Sequence, residues 1–400
     1  MRLNSRNTVL FVFPAMLFII GMALRLSGLT FISLDMRLFL IPWYDTLARD
    51  GFHALREFFS NYSPPYLYLL WLATLTQSLL PKAISIKLIS IFFDLVNSLL
   101  VYKVLKLHYP KGMTANLGTG IFFVLPTVLL NSSFWGQADG IYTTFILACL
   151  YYLLAGKSLE AVIFFGIAFA FKAQSIFLLP LLILFTVKNR IPWFYYGLVP
   201  IIYLIIMIPA LIAGRPLMEV FTVYLSQADT YRMLSLDAPN FYLFVPESLY
   251  SPGVIVGIIL TIIITVAWIW LYSRKITIFT PSAMLLCATV SVAMIPFFMP
   301  KMHDRYFYLA EVFSLLLAFY LPKLWFLPLA YQFISVWTYA VFLLYKSADI
   351  FPTPPIVAIN MLIIAALANT ALTPYLLWKQ YNLVTTGDVP GDQQHKGQQS

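Results

Sequence analysis

Apolar runs follow one another along almost the whole chain, at 8–29, 84–102, 114–131, 138–155, 159–171, 174–187, 194–213, 252–272, 278–299, 306–321, 324–345 and 356–377. The hydrocarbon layer of a bilayer is about 30 Å thick and takes roughly 20 apolar residues per helical crossing. Lipid offers the backbone no hydrogen-bond partners, so the crossings are expected as helices. Charge confirms the environment: Asp, Glu, Lys and Arg make up 10% of the 400 residues, against about 25% in soluble domains. So few charges cannot cover a soluble surface. The mean hydropathy of +0.85 agrees. Cys149 and Cys287 both lie in apolar runs, which leaves neither a disulfide framework nor a CxxC zinc site. The net charge of +9 is then a matter of bilayer topology, not of nucleic-acid binding.

Arg2 and Arg6 ahead of the first run resemble a signal peptide. The run is too long for one and no small-residue cleavage site follows, so a retained anchor is expected. The runs 159–171 and 174–187 are short for a crossing, and Lys172 and Gln174 stand between them. Interrupted segments are tolerated where they line a polar cavity, which places both residues on a cavity wall.

The segment 66–80 decides the topology, because everything after it inverts if it crosses. With a cytoplasmic N-terminus and a non-crossing 66–80, the later cytoplasmic linkers hold ten basic residues, from Lys103 to Lys379. The outer linkers hold six: Lys172, Arg215, Arg232, Lys301, Arg305 and Lys346. Basic residues prefer the cytoplasmic side, so 66–80 is expected as a helix in the outer interface. Most acids then fall outside, including Asp35, Asp45, Asp139, Asp229, Asp237, Asp304 and Asp349. The fold expected is an all-α polytopic membrane protein of about twelve transmembrane helices, with interfacial helices in a long first extracytoplasmic loop. Residues 1–310 form the main module, with outer loops at 30–83 and 214–251. Helices at 311–379 follow, then a disordered cytoplasmic tail at 380–400, rich in Gly and Gln. Long loops on one face point to chemistry on that face.

Asp35 sits at the membrane surface just past the first run, within FISLDMRLFL. It is either a solvated partner of Arg37 or a general base with restricted access to water; Asp45 is a weaker candidate. Tyr62 and Tyr66 bracket a proline pair in NYSPPYLY, as interfacial aromatics or substrate contacts. Trp135, Gln137 and Asp139 occupy the mouth between two runs. Asp139 there is a helix N-cap or a polar contact to substrate. Lys172 with Gln174 suits an anion such as phosphate, the alternative being a lysine that snorkels to the surface. His303, Asp304 and Arg305 in PKMHDRYFY suit phosphate or pyrophosphate, since Arg binds such groups bidentately. The intramembrane acids Asp94 and Glu311 either serve function or pair with a base such as Lys87 or Arg305.

The order of these elements resembles the GT-C superfamily of membrane glycosyltransferases, in its bacterial branch related to the GPI-anchor mannosyltransferases and N-glycan glucosyltransferases. The similarity rests on Asp35 after the first span, Ser63-Pro64-Pro65-Tyr66, the internal acid Asp94, and Trp135-Gly136-Gln137 with Asp139. It continues in Lys172-x-Gln174 and in Met302-His303-Asp304-Arg305-Tyr306. It covers about 8–310, and departs at Ser63, where the family often has an aromatic. The resemblance implies a polyprenyl-phosphate-linked sugar donor, with Asp35 as catalytic base. The acceptor would be a hydroxyl of a glycan, lipid or protein. Lys172, His303 and Arg305 would supply positive charge for the departing phosphate, with Gln174 as hydrogen-bond donor. A lipid phosphate is a good leaving group, so one base suffices, unlike the carboxylate pair of glycosidases. No cofactor or metal is expected, since no DxD pair is present. The setting implied is a bacterial plasma membrane with both termini cytoplasmic. A lipid-linked sugar flippase would instead string polar residues through both membrane halves. A polysaccharide polymerase would take a diphosphate donor.

Overall fold

The computed structural model describes residues 5–276, 279–347 and 356–385. Asp349 and residues 386–400 of the expected tail lie outside the described residues, as does the side chain of Asp229. The chain is an all-α membrane protein in which every apolar run is helical. Helix α1 (Ser5–Gly28) leads into the first long loop, which carries a π-helical turn (Met36–Leu40), α2 (Ile41–Asp50) and α3 (Pro64–Thr74). The proline pair starts α3, because the first turn of a helix has no use for the missing N–H groups. The helix expected over 66–80 thus begins two residues earlier and ends at Thr74.

Next come α4 (Lys82–His108), α5 (Thr114–Phe123) and α6 (Pro126–Leu129), the last continuing as a π-helix over Leu130–Trp135. The chain bends by 49° between α5 and α6. Pro126 lies at the bend, and proline holds the residue before it in extended backbone. Helices α7 (Asp139–Leu154) and α8 (Ser158–Phe171) form a hairpin, followed by a 3-10 turn (Ala173–Leu178), α9 (Leu179–Val187) and α10 (Leu198–Ile212). The second long loop holds α11 (Leu217–Asp229) and strand β1 (Ser235–Leu236). Helices α12 (Tyr250–Lys275) and α13 (Pro281–Phe298), strand β2 (Met302–His303), and helices α14 (Tyr308–Tyr320), α15 (Phe326–Ala340) and α16 (Ile356–Thr385) complete the chain. A π-helix over Val341–Lys346 extends α15. Residues 380–385, assigned above to the tail, belong to α16. Gln380 is buried there and accepts a hydrogen bond from Trp268 Nε1 at 2.9 Å, which ties this end of α16 to α12.

Among the described residues six helical segments are long and apolar enough to cross a membrane by length and composition. Their burial separates centre from rim. The apolar window of α13 is 83% buried, those of α10 and α12 17% each. Helix α13 is therefore the hub, and α10 and α12 present apolar faces to lipid. The main core joins α4, α7, α13 and α14. The first long loop has its own core, built from Met36, Leu40, Tyr44, Leu47, Tyr66 and Leu70 against α4. It is therefore a folded platform.

The interior charges find partners that the sequence alone did not reveal. Asp94 pairs with neither Lys87 nor Arg305. Its Oδ2 receives Arg25 Nε at 2.9 Å and Nη2 at 2.8 Å. Arg25 Nη1 donates to the Phe123 and Gly21 carbonyls, at 2.8 and 3.1 Å, and the guanidinium lies over the Phe123 ring. Lys87 donates to the carbonyls of Gly28, Leu29 and Phe31, where α1 ends. A cation at a helix C-terminus meets unsatisfied carbonyls and the negative end of the dipole. The Glu311 carboxyl is buried in α14, with the side chains of Ser335 and Thr127 as its polar neighbours.

Candidate active site

A cavity of about 400 Å³ opens where the two long loops meet the segment before α14. Asp35, Tyr62, Gln137, Lys172, Gln174, His303, Asp304 and Arg305 line it. Eight of the eleven residues given a catalytic or substrate-binding role above thus line one cavity, although they span 270 positions from Asp35 to Arg305.

The base candidate is held from one side. Trp135 Nε1 donates to Asp35 Oδ2 at 2.9 Å, Gln137 Nε2 at 2.7 Å, and Arg305 Nη1 at 3.4 Å. Three donors thus converge on this one oxygen. No donor among the described residues reaches Oδ1, so that oxygen is left to the cavity that Asp35 lines. Gln137 is oriented by its neighbours. Its Oε1 accepts from the Tyr62 hydroxyl at 2.8 Å, and the carboxylate, an acceptor only, fixes the amide nitrogen on the other side. Gly136 between Trp135 and Gln137 has φ of 77°, a left-handed turn that ends the π-helix. A Cβ there would stand 2.5 Å from Met36 Cε. Glycine satisfies both constraints, and this explains the Trp-Gly-Gln sequence. Ser33 closes the frame: its hydroxyl donates to the Trp135 carbonyl at 3.0 Å and accepts from Met36 N at 3.2 Å.

Asp139 lies one layer deeper, fully buried and outside the cavity lining. It is the first residue of α7, and its side chain makes no cap bond. Instead it pairs with Lys172 through Oδ1, accepts from Asn131 Nδ2 at 2.9 Å, and stands 3.5 Å from Arg305 Nε. Asp35, Arg305, Asp139 and Lys172 thus form a chain of alternating charge. Lys172 does not snorkel. It occupies the extended residue between α8 and the 3-10 turn, with the rings of Tyr62, Tyr142 and Tyr306 within 6.0 Å of its Nζ. Cation–π contact suits a partly desolvated ammonium.

Trp135 and Tyr66 also lie behind the lining. Trp135 is buried between Phe342, stacked at 4.3 Å, and Tyr339. Tyr66 packs edge-on against Tyr62 at 4.8 Å. Both support residues that face the cavity. Burial holds the Tyr62 phenol well above its ordinary pKa, so it stays a neutral donor.

His303 departs from the sequence expectation of a cationic residue. Burial, then Arg305, Lys172 and Lys346, push its pKa well below 6.5, and the imidazole in this cavity is neutral. Asp304 moves the other way. Burial raises it to about 8, with Arg305 opposing and Asp237 and Asp35 adding to the rise.

The second long loop supplies a wall that sequence reading did not assign. Strand β1 pairs in parallel with β2, with Ser235 opposite Met302 and Leu236 opposite His303. Lys301 N donates to the Leu234 carbonyl at 2.7 Å, and Asp304 N to the Leu236 carbonyl at 3.0 Å. Asp237 and Lys301, both at positive φ, flank this pairing. Gln227 Nε2 reaches the Asn61 carbonyl and joins the second loop to the first. Asp237 and Lys346 form an ion pair on the lining, and Tyr231 and Phe342 line it too. Residues beyond 310 therefore take part in the cavity, through Phe342 and Lys346. Asp237 and Lys346 were visible in the sequence only as two loop charges 109 positions apart. Among the described residues no group of three or more His, Cys, Asp and Glu side chains is placed to hold a metal ion. No protein-family model matches the chain, and no curated protein matches it in sequence.

Proposed function

We propose that the protein is an inverting glycosyltransferase. It moves mannose or another hexose from a polyprenyl-phosphate donor to an acceptor hydroxyl at the extracytoplasmic membrane face. The observation that carries this reading is the one-sided clamp on Asp35. With Oδ2 held by Trp135, Gln137 and Arg305, Oδ1 remains to take a proton from a hydroxyl in the cavity. The bond from the anomeric carbon to the phosphate oxygen breaks, and its electron pair stays on the phosphate. Lys172 and Arg305 offer fixed positive charge on the same lining, the kind of preorganised partner a developing anion needs. Gln174 serves as a hydrogen-bond donor, and His303 lies on the same lining. Attack from the face opposite the phosphate inverts the anomeric centre. The acceptor is a glycan, lipid or protein hydroxyl.

The same reading takes the bent pair α5–α6 and the five shorter apolar helices as further crossings. With the six long ones this makes twelve spans, both termini cytoplasmic, in a bacterial plasma membrane of GT-C-like architecture. The test is transfer from radiolabelled polyprenyl-phosphate sugars by purified protein in lipid, beside folded Asp35→Asn. Consumption of one donor by the wild type alone supports the reading; equal consumption by both removes Asp35 as the base.

A further inference from the structure

Among the described residues three cations line the cavity, and each already faces a carboxylate. Lys172 pairs with Asp139, Arg305 stands between Asp35 and Asp139, and Lys346 pairs with Asp237. With Asp304 raised to about 8 and so mostly protonated at pH 7, the cations and carboxylates cancel. A singly charged phosphodiester entering this space would leave an uncompensated negative charge in a largely buried site, which is costly. Separating an existing pair does not help, because it strands a carboxylate. The charge is balanced at once if a proton enters with the anion.

Among the described residues His303 is the neutral base on the lining that can accept it. The groups facing it come from four segments. Lys172 comes from the break after α8, and Lys346 from the end of the π-helix that follows α15. Asp237 is bridged to it through the backbone from the second long loop, and Asp304 and Arg305 are on its own segment. The rings of Tyr231 and Tyr306 stand 5.8 and 5.1 Å from the imidazole. The three cations are what keep it neutral, after burial itself. An anion placed among them cancels that field and reverses the preference.

We propose that the donor phosphate binds together with one proton, and that this proton resides on His303. The inference rests on the phosphate-binding reading above. It gives the imidazole a task during transfer: when the departing phosphate gains its second negative charge, the imidazolium offsets it, while the acceptor's proton goes to Asp35.

The test uses the full-length protein in lipid nanodiscs and a short-chain isoprenyl methyl phosphodiester, which carries one negative charge throughout the range studied. Titration calorimetry at pH 7 in buffers of differing ionisation enthalpy reads the protons taken up per ligand bound. Close to one proton is expected, with affinity falling about tenfold per unit rise in pH between about 6.5 and 7.5. His303→Gln keeps a polar side chain and is expected to bind with no uptake and a flat pH profile. Asp304→Asn is expected to retain the uptake. Wild-type binding without uptake, or uptake that survives in His303→Gln, overturns the coupling and leaves the phosphate site standing. Uptake lost only in Asp304→Asn overturns the assignment to His303. No binding to folded wild type overturns the phosphate reading and this inference together.

Discussion

Arg25 and Arg305 both sit beside carboxylates in buried surroundings, and they are bound very differently. Arg25, in the helix bundle, directs all three guanidinium nitrogens to protein acceptors, at 2.8–3.1 Å. Arg305, at the cavity, makes only long contacts. It is 3.4 Å from Asp35 and 3.5 Å from Asp139, and its Nε has no hydrogen-bond partner among the described residues. Leaving buried donors unmet costs free energy that a fold does not usually accept. Saturation at Arg25 locks α1 to α4 and to the end of α5. At Arg305, on the cavity lining, the guanidinium is held only at long range, between Asp35 and Asp139. Arg215, 3.6 Å from Glu219, leaves all three guanidinium nitrogens without a partner among the described residues yet lies outside the cavity lining, so it is the place of an arginine on the lining, not the number of its unmet donors, that sets Arg305 apart.

Four substitutions test that contrast. Asp35→Asn should reduce turnover by about 10²–10⁴-fold, the usual weight of a positioned base, with little change in melting. A rate within a few-fold of wild type would place the chemistry elsewhere. Arg25→Ala should act on the fold instead, lowering stability by about 3–5 kcal/mol because it strands the Asp94 charge. Thermal unfolding in detergent reads this, and a near-native melt would make the bundle pair dispensable. Arg305→Gln should cost about 1.5–3 kcal/mol of interaction with a charged group, read as a higher donor KM with a smaller loss of stability than Arg25→Ala. If its melt falls as far as that of Arg25→Ala, the contrast between the two arginines is void. The smallest effect is expected for Gln227→Ala. It removes one hydrogen bond between the two long loops, worth about 1 kcal/mol, and is read as faster proteolysis within 217–231.

Much of the cavity could be read in the sequence, because its residues fall in short local patterns. Trp135-Gly136-Gln137 is one such pattern, and the structure shows why each position is needed. Lys172-x-Gln174 is another, set off by an interruption between two short apolar runs. The partners of the interior charges could not be read. Arg25, Lys87 and Asp94 lie on α1 and α4, and which meets which depends on the rotation of each helix about its axis. Uniformly apolar helices do not encode that rotation in their periodicity. Lys346 was hidden for a related reason. It is placed by a π-helical end to α15, a local widening that the residue pattern does not announce. The stretch Leu234–Asp237 of the second long loop carries no local motif, so its pairing with Met302–His303 was visible only once folded.

That pairing has a consequence for how such a protein can change over generations. The contacts joining Leu234–Leu236 to Lys301–Asp304 run from main chain to main chain. Almost any residue supplies the same amide and carbonyl, so closure of this rim is nearly blind to side-chain identity. Tyr231 and Met233 can therefore be exchanged while the wall stays in place. The opposite wall, where Asp35, Trp135 and Gln137 depend on one another, has no such freedom. Descendants adapted to new acceptors are expected to diverge on the first side and to stay alike on the second.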